Sequence, residues 1–196
     1  MKSVIKILKS INNFFKKIFE SILTFLKIIY ENDYRIKKLK LNETENFIVL
    51  VNGPSLENDF KNLKSQFVKN RIVVVNQFAL TDYFKELKPS YYVLLDDQYF
   101  QKKIKLEVLQ QCLDTLEREV DWDLTMFIPS RFKNSSFVKT VSNNPFIKIQ
   151  LFNITLAKGG FEKLNWRLFD NNLAMLQSQN VLVSTLFNIV NNGAKN

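Results

Sequence analysis

The residues best suited to chemistry in this chain are polar side chains placed at the ends of apolar runs. Asn52-Gly53-Pro54-Ser55 follows the run Phe47-Ile48-Val49-Leu50-Val51, and Asn76-Gln77 follows Ile72-Val73-Val74-Val75. Gly53 permits a positive φ angle or close approach of backbone to a ligand. Pro54 pre-sets the first helical residue and lacks an amide that would be unpaired there. Ser55 can cap the helix, whose free N-terminal amides favour a phosphate. The carboxamides of Asn52 and Asn76 offer donor and acceptor together, which suits a base or a sugar. The same turn also suits an ordinary strand-to-helix connection with a capping serine. A third run, Tyr91 to Leu95, ends in Asp96-Asp97, a pair that could hold a divalent cation or simply close a strand in water. Arg131 and Arg167 could fork onto a phosphate or a sugar carboxylate, or pair with surface acids. Glu117, Glu119, Asp121 and Asp123 read as a solvated helix end.

The composition limits the chemistry further. The chain has no histidine, so the commonest general base and metal ligand are both missing. Its single cysteine, Cys112, lies on an apolar helix face and reads as core, and no metal site is expected. One cysteine also permits no intrachain disulfide and fits a reducing compartment. The net charge of +9 is uneven. Residues 1–41 hold ten Lys and Arg against three Asp and Glu, a net +7, which leaves +2 for the remainder. The globular part therefore lacks the clustered basic face of a nucleic-acid binder.

The elements that must position these residues follow from periodicity. Strands are expected at about 46–51, 71–76, 91–95, 124–128 and 146–152. Helices are expected at about 56–69, 79–87, 101–120 and 179–191, with Gly193 as a C-terminal cap. The segment 153–172 shows no clear pattern beyond a turn at Gly159-Gly160. Alternating strands and helices with short connectors predict an α/β fold: a Rossmann-like parallel sheet with flanking helices, preceded by an N-terminal amphipathic helix. Ligands of such sheets bind at the carboxyl ends of the strands. Two units are expected: a basic helical arm over 1–42 and a nucleotide-binding domain over 43–196.

In the arm, Val4, Leu8, Ile11, Phe15, Ile18, Ile22, Phe25 and Ile29 recur at helical spacing, with lysines between them. No stretch is apolar enough to span a bilayer, and the layout of a cleavable signal peptide is missing. Residues 1–30 therefore fit a helix lying on an anionic membrane surface, a homo-oligomerisation arm, or a helix packed on its own domain. The phenylalanines favour the membrane surface over a coiled-coil seam.

The motifs carry a resemblance beyond these generic features. Asn52-Gly53-Pro54-Ser55-Leu56 ends one strand and Asn76-Gln77-Phe78 a second. Lys88-Pro89-Ser90-Tyr91-Tyr92-Val93 leads to Asp96, Tyr99 and Phe100. Together they resemble the bacterial CMP-sialic-acid-using sialyltransferases and the related proteins labelled 6-hydroxymethylpterin diphosphokinase MptE-like or motility accessory factor-like. The resemblance is good over 46–100, weak over 101–175 and partial over 177–193. It implies that Asn52, Gly53 and Ser55 contact the phosphate and ribose of a CMP-sugar, with Pro54 and Gln77 in the same turns. Asn76 would help hold the nucleotide, and the helix start near Asn180 would lie by the phosphate. Asn180-Val181-Leu182 departs there from the Thr-Ser-Gly-like turn of the sialyltransferases.

What the resemblance implies about function is a glycosyltransferase-related protein of bacterial surface glycan synthesis. It would take a CMP-sugar donor and a glycan acceptor without a required cofactor. It would act in the bacterial cytoplasm, at the inner face of the membrane if residues 1–30 lie there. Family members continue past a turn like Gly193-Ala194-Lys195 into a strand with a Gly-x-Asp motif, then tyrosines and a histidine base. The expectation is a chain interrupted before that part, or a short member that binds without catalysing. No catalytic residue is assigned. The alternatives are an MptE-like diphosphokinase using ATP and Mg²⁺ at Asp96 and Asp97, and a non-enzymatic membrane-associated binding protein.

Overall fold

The computed structural model of the chain describes residues 2–42, 44–51, 53, 60, 67, 69–176 and 181–194. The first helix, α1 (Lys2–Glu31), is followed by an irregular segment and β1 (Phe47–Leu50). Then come β2 (Arg71–Val75), a 3-10 turn over Asn76–Leu80, α2 (Tyr83–Leu87), β3 (Tyr91–Val93), α3 (Asp97–Gln101) and α4 (Leu106–Asp114). A π-turn over Thr115–Glu119 leads to β4 (Leu124–Pro129), α5 (Ser136–Val141) and β5 (Ile147–Phe152). The chain continues through β6 (Leu156–Ala157), α6 (Glu162–Asp170), β7 (Met175–Leu176) and α7 (Val181–Asn191).

The architecture is α/β, with β1 to β5 forming a parallel sheet in the order 1-2-3-4-5 and β6 and β7 a small parallel pair. Both faces are covered, which is why the inner strands β2 to β4 are mostly apolar runs, whereas the edge strand β5 alternates Ile147 and Ile149 with Lys148 and Gln150. Side chains alternate between the faces with the strand period of two. Ile72, Val74, Tyr92, Leu94, Met126 and Ile128 point to the layer of crossover helices, against Phe84, Leu109, Leu116 and Phe137. Val73, Val75, Val93, Phe127 and Phe152 point the other way, against Leu41, Phe169, Met175 and Phe187. The crossovers from β2 to β5 each move one strand along and return on the same face, as a single hand of crossover requires in this strand order.

All five expected strands are present. The helix expected over 56–69 lies largely outside the described residues. Phe60 and Phe67 are buried, with rings 5.6 Å apart, and Phe60 also meets Tyr83 at 4.3 Å. The single helix expected over 101–120 is instead α3, a break, α4 and the π-turn. Lys102, at φ 56°, ends α3 in the left-handed region, and Lys105 is extended before α4. Periodicity misses the break because the apolar spacing is helical on both sides of it. The segment without a clear pattern holds β6 and α6.

Asn144, in the loop before β5, ties that loop to the turn before β4. Its Nδ2 donates to the carbonyls of Leu116 and Val120, each at 2.9 Å, and its Oδ1 accepts from the Phe146 amide at 2.9 Å. Removing the carboxamide strands buried polar groups, so Asn144→Ala is expected to lose about 2–4 kcal/mol in urea unfolding. A change below the measurement error would show that water replaces the side chain.

α1 ends at Glu31, and no helix among the described residues is long and apolar enough to cross a membrane. It docks on the domain through Ser21, Thr24 and Ile28, which are 8%, 3% and 4% exposed. Glu20 Oε2 accepts from the Gly160 amide at 2.8 Å, and Asn32 Nδ2 donates to the Leu173 carbonyl at 2.8 Å. The apolar stripe, for which packing on its own domain is one of three expected roles, stays exposed at Val4, Leu8, Ile11, Phe15, Ile22, Phe25 and Ile29.

Candidate functional site

A cavity of about 720 Å³ opens at the carboxyl ends of β2 to β5. Its floor is made by the residues that directly follow the strands: Asn76 after β2, Leu95 and Asp96 after β3, Ser130 and Arg131 after β4, Ile154 and Thr155 after β5. One wall is the C-terminal turn of α1, with Lys27 and Glu31. Another is formed by Lys158, Met175 and the first turn of α7, with Val181 and Ser184. The position is where parallel sheets bind ligands, because loops diverge there and helix N-termini converge.

Asn76 is the best-fixed polar group in the cavity. It sits at φ 43°, in the left-handed region that Asn tolerates better than most residues. Its Oδ1 accepts from the amides of Leu95 at 3.0 Å and Asp96 at 3.3 Å. The buried Tyr92 hydroxyl donates to its carbonyl. Asn76 therefore ties the end of β2 to the end of β3. Its acceptor side is committed internally, so it does not offer both sides to a ligand; among the described residues its Nδ2 is left as a donor.

The charges around the cavity divide into engaged and free groups. Asp97 pairs with Arg131, whose guanidinium also lies 4.7 Å from the Phe132 ring centre. Asp96 caps α3 by accepting from the Gln98 amide at 3.0 Å. Thr155 Oγ1 lies 2.7 Å from Asn32 Oδ1 and 3.1 Å from Glu31 Oε2, donating between them. Lys27 and Lys158 form no ion pair among the described residues. Among the described residues, two ammonium groups without ion pairs and the first turn of α7 thus face one cavity of mixed polar and apolar lining, which suits an anionic group such as a phosphate.

The walls are held by a second set of bonds. Asn153 Oδ1 accepts from the Asp33 amide at 3.0 Å and from Ser130 Oγ at 3.1 Å. Lys133 Nζ lies 2.6 Å from Asp33 Oδ2. Arg35 and Lys133 hold the Asp33 carboxyl well below the usual carboxylate range. Because the folded value is the lower one, this contribution is complete above the ordinary aspartate range and fades as the solution is acidified through it.

The sequence-derived candidates fall into three groups. Asn76, Asp96, Asp97 and Arg131 line the cavity. Gln77 does not: the 3-10 turn that starts at Asn76 carries it to the surface while Phe78 and Ala79 enter the core. Gly53 is also exposed and outside the cavity; it has no positive φ, and among the described residues nothing lies within 4 Å of where a Cβ would stand. Arg167 is exposed on α6, away from the site. Asn52, Pro54, Ser55 and Asn180 lie outside the described residues. The acids at the far end of the sheet are surface groups, with Lys85 at Glu119 and Lys88 at Asp121, each at 2.8 Å.

Sequence reasoning missed Lys27, Glu31, Ser130, Thr155 and Lys158. Ser130 and Thr155 had a findable signal, since both closely follow a strand's carboxyl end. The α1 residues had none, because their nearness to the sheet ends is purely tertiary. Cys112 is no nucleophile here: it is fully buried, and burial raises its thiol to about 12. Compared with known proteins, the chain matches no family model, no curated protein and no solved structure.

Proposed function

We propose that the cavity binds a CMP-sugar and that the protein is related in function to the sialyltransferase-like glycosyltransferases of bacterial surface glycan synthesis. The observation that carries this reading is the pairing of a fixed carboxamide, Asn76, with Lys27 and Lys158, which form no ion pair among the described residues, and with the first turn of α7 around one cavity. The donor's phosphate lies by the lysines and α7, and Asn76 Nδ2 donates to an acceptor atom of the nucleotide. In a transfer reaction the same lysines stabilise charge developing on the leaving CMP phosphate. The glycan acceptor approaches from the open side of the cavity. No side chain is assigned as the base, so the reading assigns donor binding to this chain rather than turnover.

A diphosphokinase using ATP and Mg²⁺ would need free carboxylates. Asp97 is paired with Arg131 and Asp96 caps a helix, so the geometry favours the CMP-sugar. Thermal unfolding with CMP and without Mg²⁺ tests the choice. Ligand at a hundredfold over its Kd is expected to add about 2.7 kcal/mol of stability. No shift at millimolar CMP, or a shift with ATP that requires Mg²⁺, rejects the reading.

A further inference from the structure

Apart from Phe14 at its edge, whose ring centre lies 5.8 Å from that of Phe161, the outward face of α1 has no partner among the described residues, and its chemistry says what covers it. At the helical period of 3.6 residues, the apolar side chains fill an arc of roughly 180°. Phe15 and Phe19 stand 63% and 62% exposed, and Ile11, Ile22, Leu26 and Ile29 share that side. The opposite, polar side is the one clamped to the domain through Glu20, Ser21 and Thr24. An amphipathic helix normally buries its apolar side on its own core; this one presents it.

Charge separates the two occupants that could cover such a face. α1 carries six lysines against two glutamates. Glu20 accepts from the Gly160 amide and Glu31 from Thr155, so both carboxylates are on the domain side. Lys16 lies 3.9 Å from Glu20 of its own helix, so a second copy of α1 would bring together lysine-rich helices with no further acid to pair them, and the arc is wider than a coiled-coil seam. An anionic bilayer matches both features: acyl chains take the phenylalanines and isoleucines, and headgroup phosphates take the lysines.

We propose that α1 is a membrane-docking element lying flat between the domain and an anionic lipid bilayer, and that it holds the cavity beside the lipid headgroups. The geometry makes the second part follow from the first. Lys27 and Glu31 line the cavity, while Leu26, Ile29 and Tyr30 on the same turns face outward. The cavity wall and the lipid-facing surface are two sides of one helix. The proposal holds whatever ligand the cavity takes.

Flotation of the full chain with phosphatidylcholine vesicles, with and without phosphatidylglycerol, is the test. Binding is expected to the anionic vesicles, weaker at high salt and much weaker to phosphatidylcholine alone. Exchanging Lys6, Lys9 and Lys16 for Gln is expected to weaken anionic binding about a hundredfold, at roughly fivefold per lysine. Phe15→Ser with Phe19→Ser is expected to weaken it by at least about tenfold per residue, with circular dichroism unchanged because both sites are exposed. A dye on Leu26→Cys, which labels selectively because Cys112 is buried, is expected to shift to the blue on anionic vesicles. Folded protein that fails to float with anionic vesicles overturns the proposal. So does a dimer in light scattering that the Phe15 and Phe19 changes dissolve without any vesicle binding. An unshifted dye on bound protein overturns the placement of the cavity.

Discussion

Asn76→Ala is expected to unfold well below the parent protein and to show no stabilisation by CMP. Two losses add in the stability. The left-handed backbone at φ 43° disfavours alanine, and the amides of Leu95 and Asp96 lose their shared acceptor. Together these come to about 2–4 kcal/mol, which lowers the melting temperature by roughly 4–16 °C for a chain of this size. That variant alone does not separate a damaged fold from a damaged site. Asn76→Asp does: a carboxylate accepts from the same two amides and tolerates the same backbone, but it replaces the Nδ2 donor with a negative oxygen. The expected result is a melting temperature within a few degrees of the parent and no CMP shift. Normal CMP binding by Asn76→Asp would remove Asn76 from the site and leave the structural bridge as its whole role.

Gly160→Ala is expected to release α1 from the domain. Gly160 lies at φ 76°, and a Cβ there would sit 2.7 Å from Ser21 Oγ, which is itself buried against the turn. Its amide is the donor to Glu20 at 2.8 Å, so any shift that relieves the clash also weakens that bond. Gly159 leaves no room for adjustment, because a Cβ at that position would overlap the Glu20 carboxylate. The strain and the lost bond together are worth about 2–3 kcal/mol. The contacts that hold α1 are few, so the helix undocks before the sheet unfolds. Hydrogen exchange is expected to rise at least about tenfold over residues 18–31 while the strand amides stay protected, since about 1.4 kcal/mol already gives a factor of ten. CMP binding should weaken as well, because Lys27 and Glu31 leave the cavity wall. Unchanged exchange over α1 would mean that the Gly159-Gly160 turn does not hold the helix.

These two positions mark the boundary between what the chain's local pattern reveals and what it hides. The five strands were legible because a strand buried on both faces tends to be an apolar run, as 47–51 and 72–75 are and 91–95 and 124–128 nearly are, while 147–152, at the sheet edge, alternates Ile147, Ile149 and Leu151 with Lys148 and Gln150. Their parallel order followed from helix-length connectors. The place of the site followed too, since Asn76 and Asp96 end two of those runs. All of this is local: it depends on side chains a few residues apart and on the solubility of each face.

The rest depended on contacts between distant segments. Spacing found the apolar stripe of α1 but not its direction, because periodicity says that a helix has two faces and not which one meets the domain. The fit of Glu20 and Ser21 at the Gly159-Gly160 turn, with the burial of Thr24 and Ile28 and the Asn32–Leu173 bond, decided that. The break at Lys102 was hidden because helical spacing resumes after it. Asn76 was legible as a polar strand end, yet its acceptor proved committed to the amides of Leu95 and Asp96, a bond that forms only once β2 and β3 lie side by side. Lys27, Glu31 and Lys158 became part of the site the same way, since the fold alone brings residue 27 to the ends of β2 to β5, strands that begin 44 or more residues later.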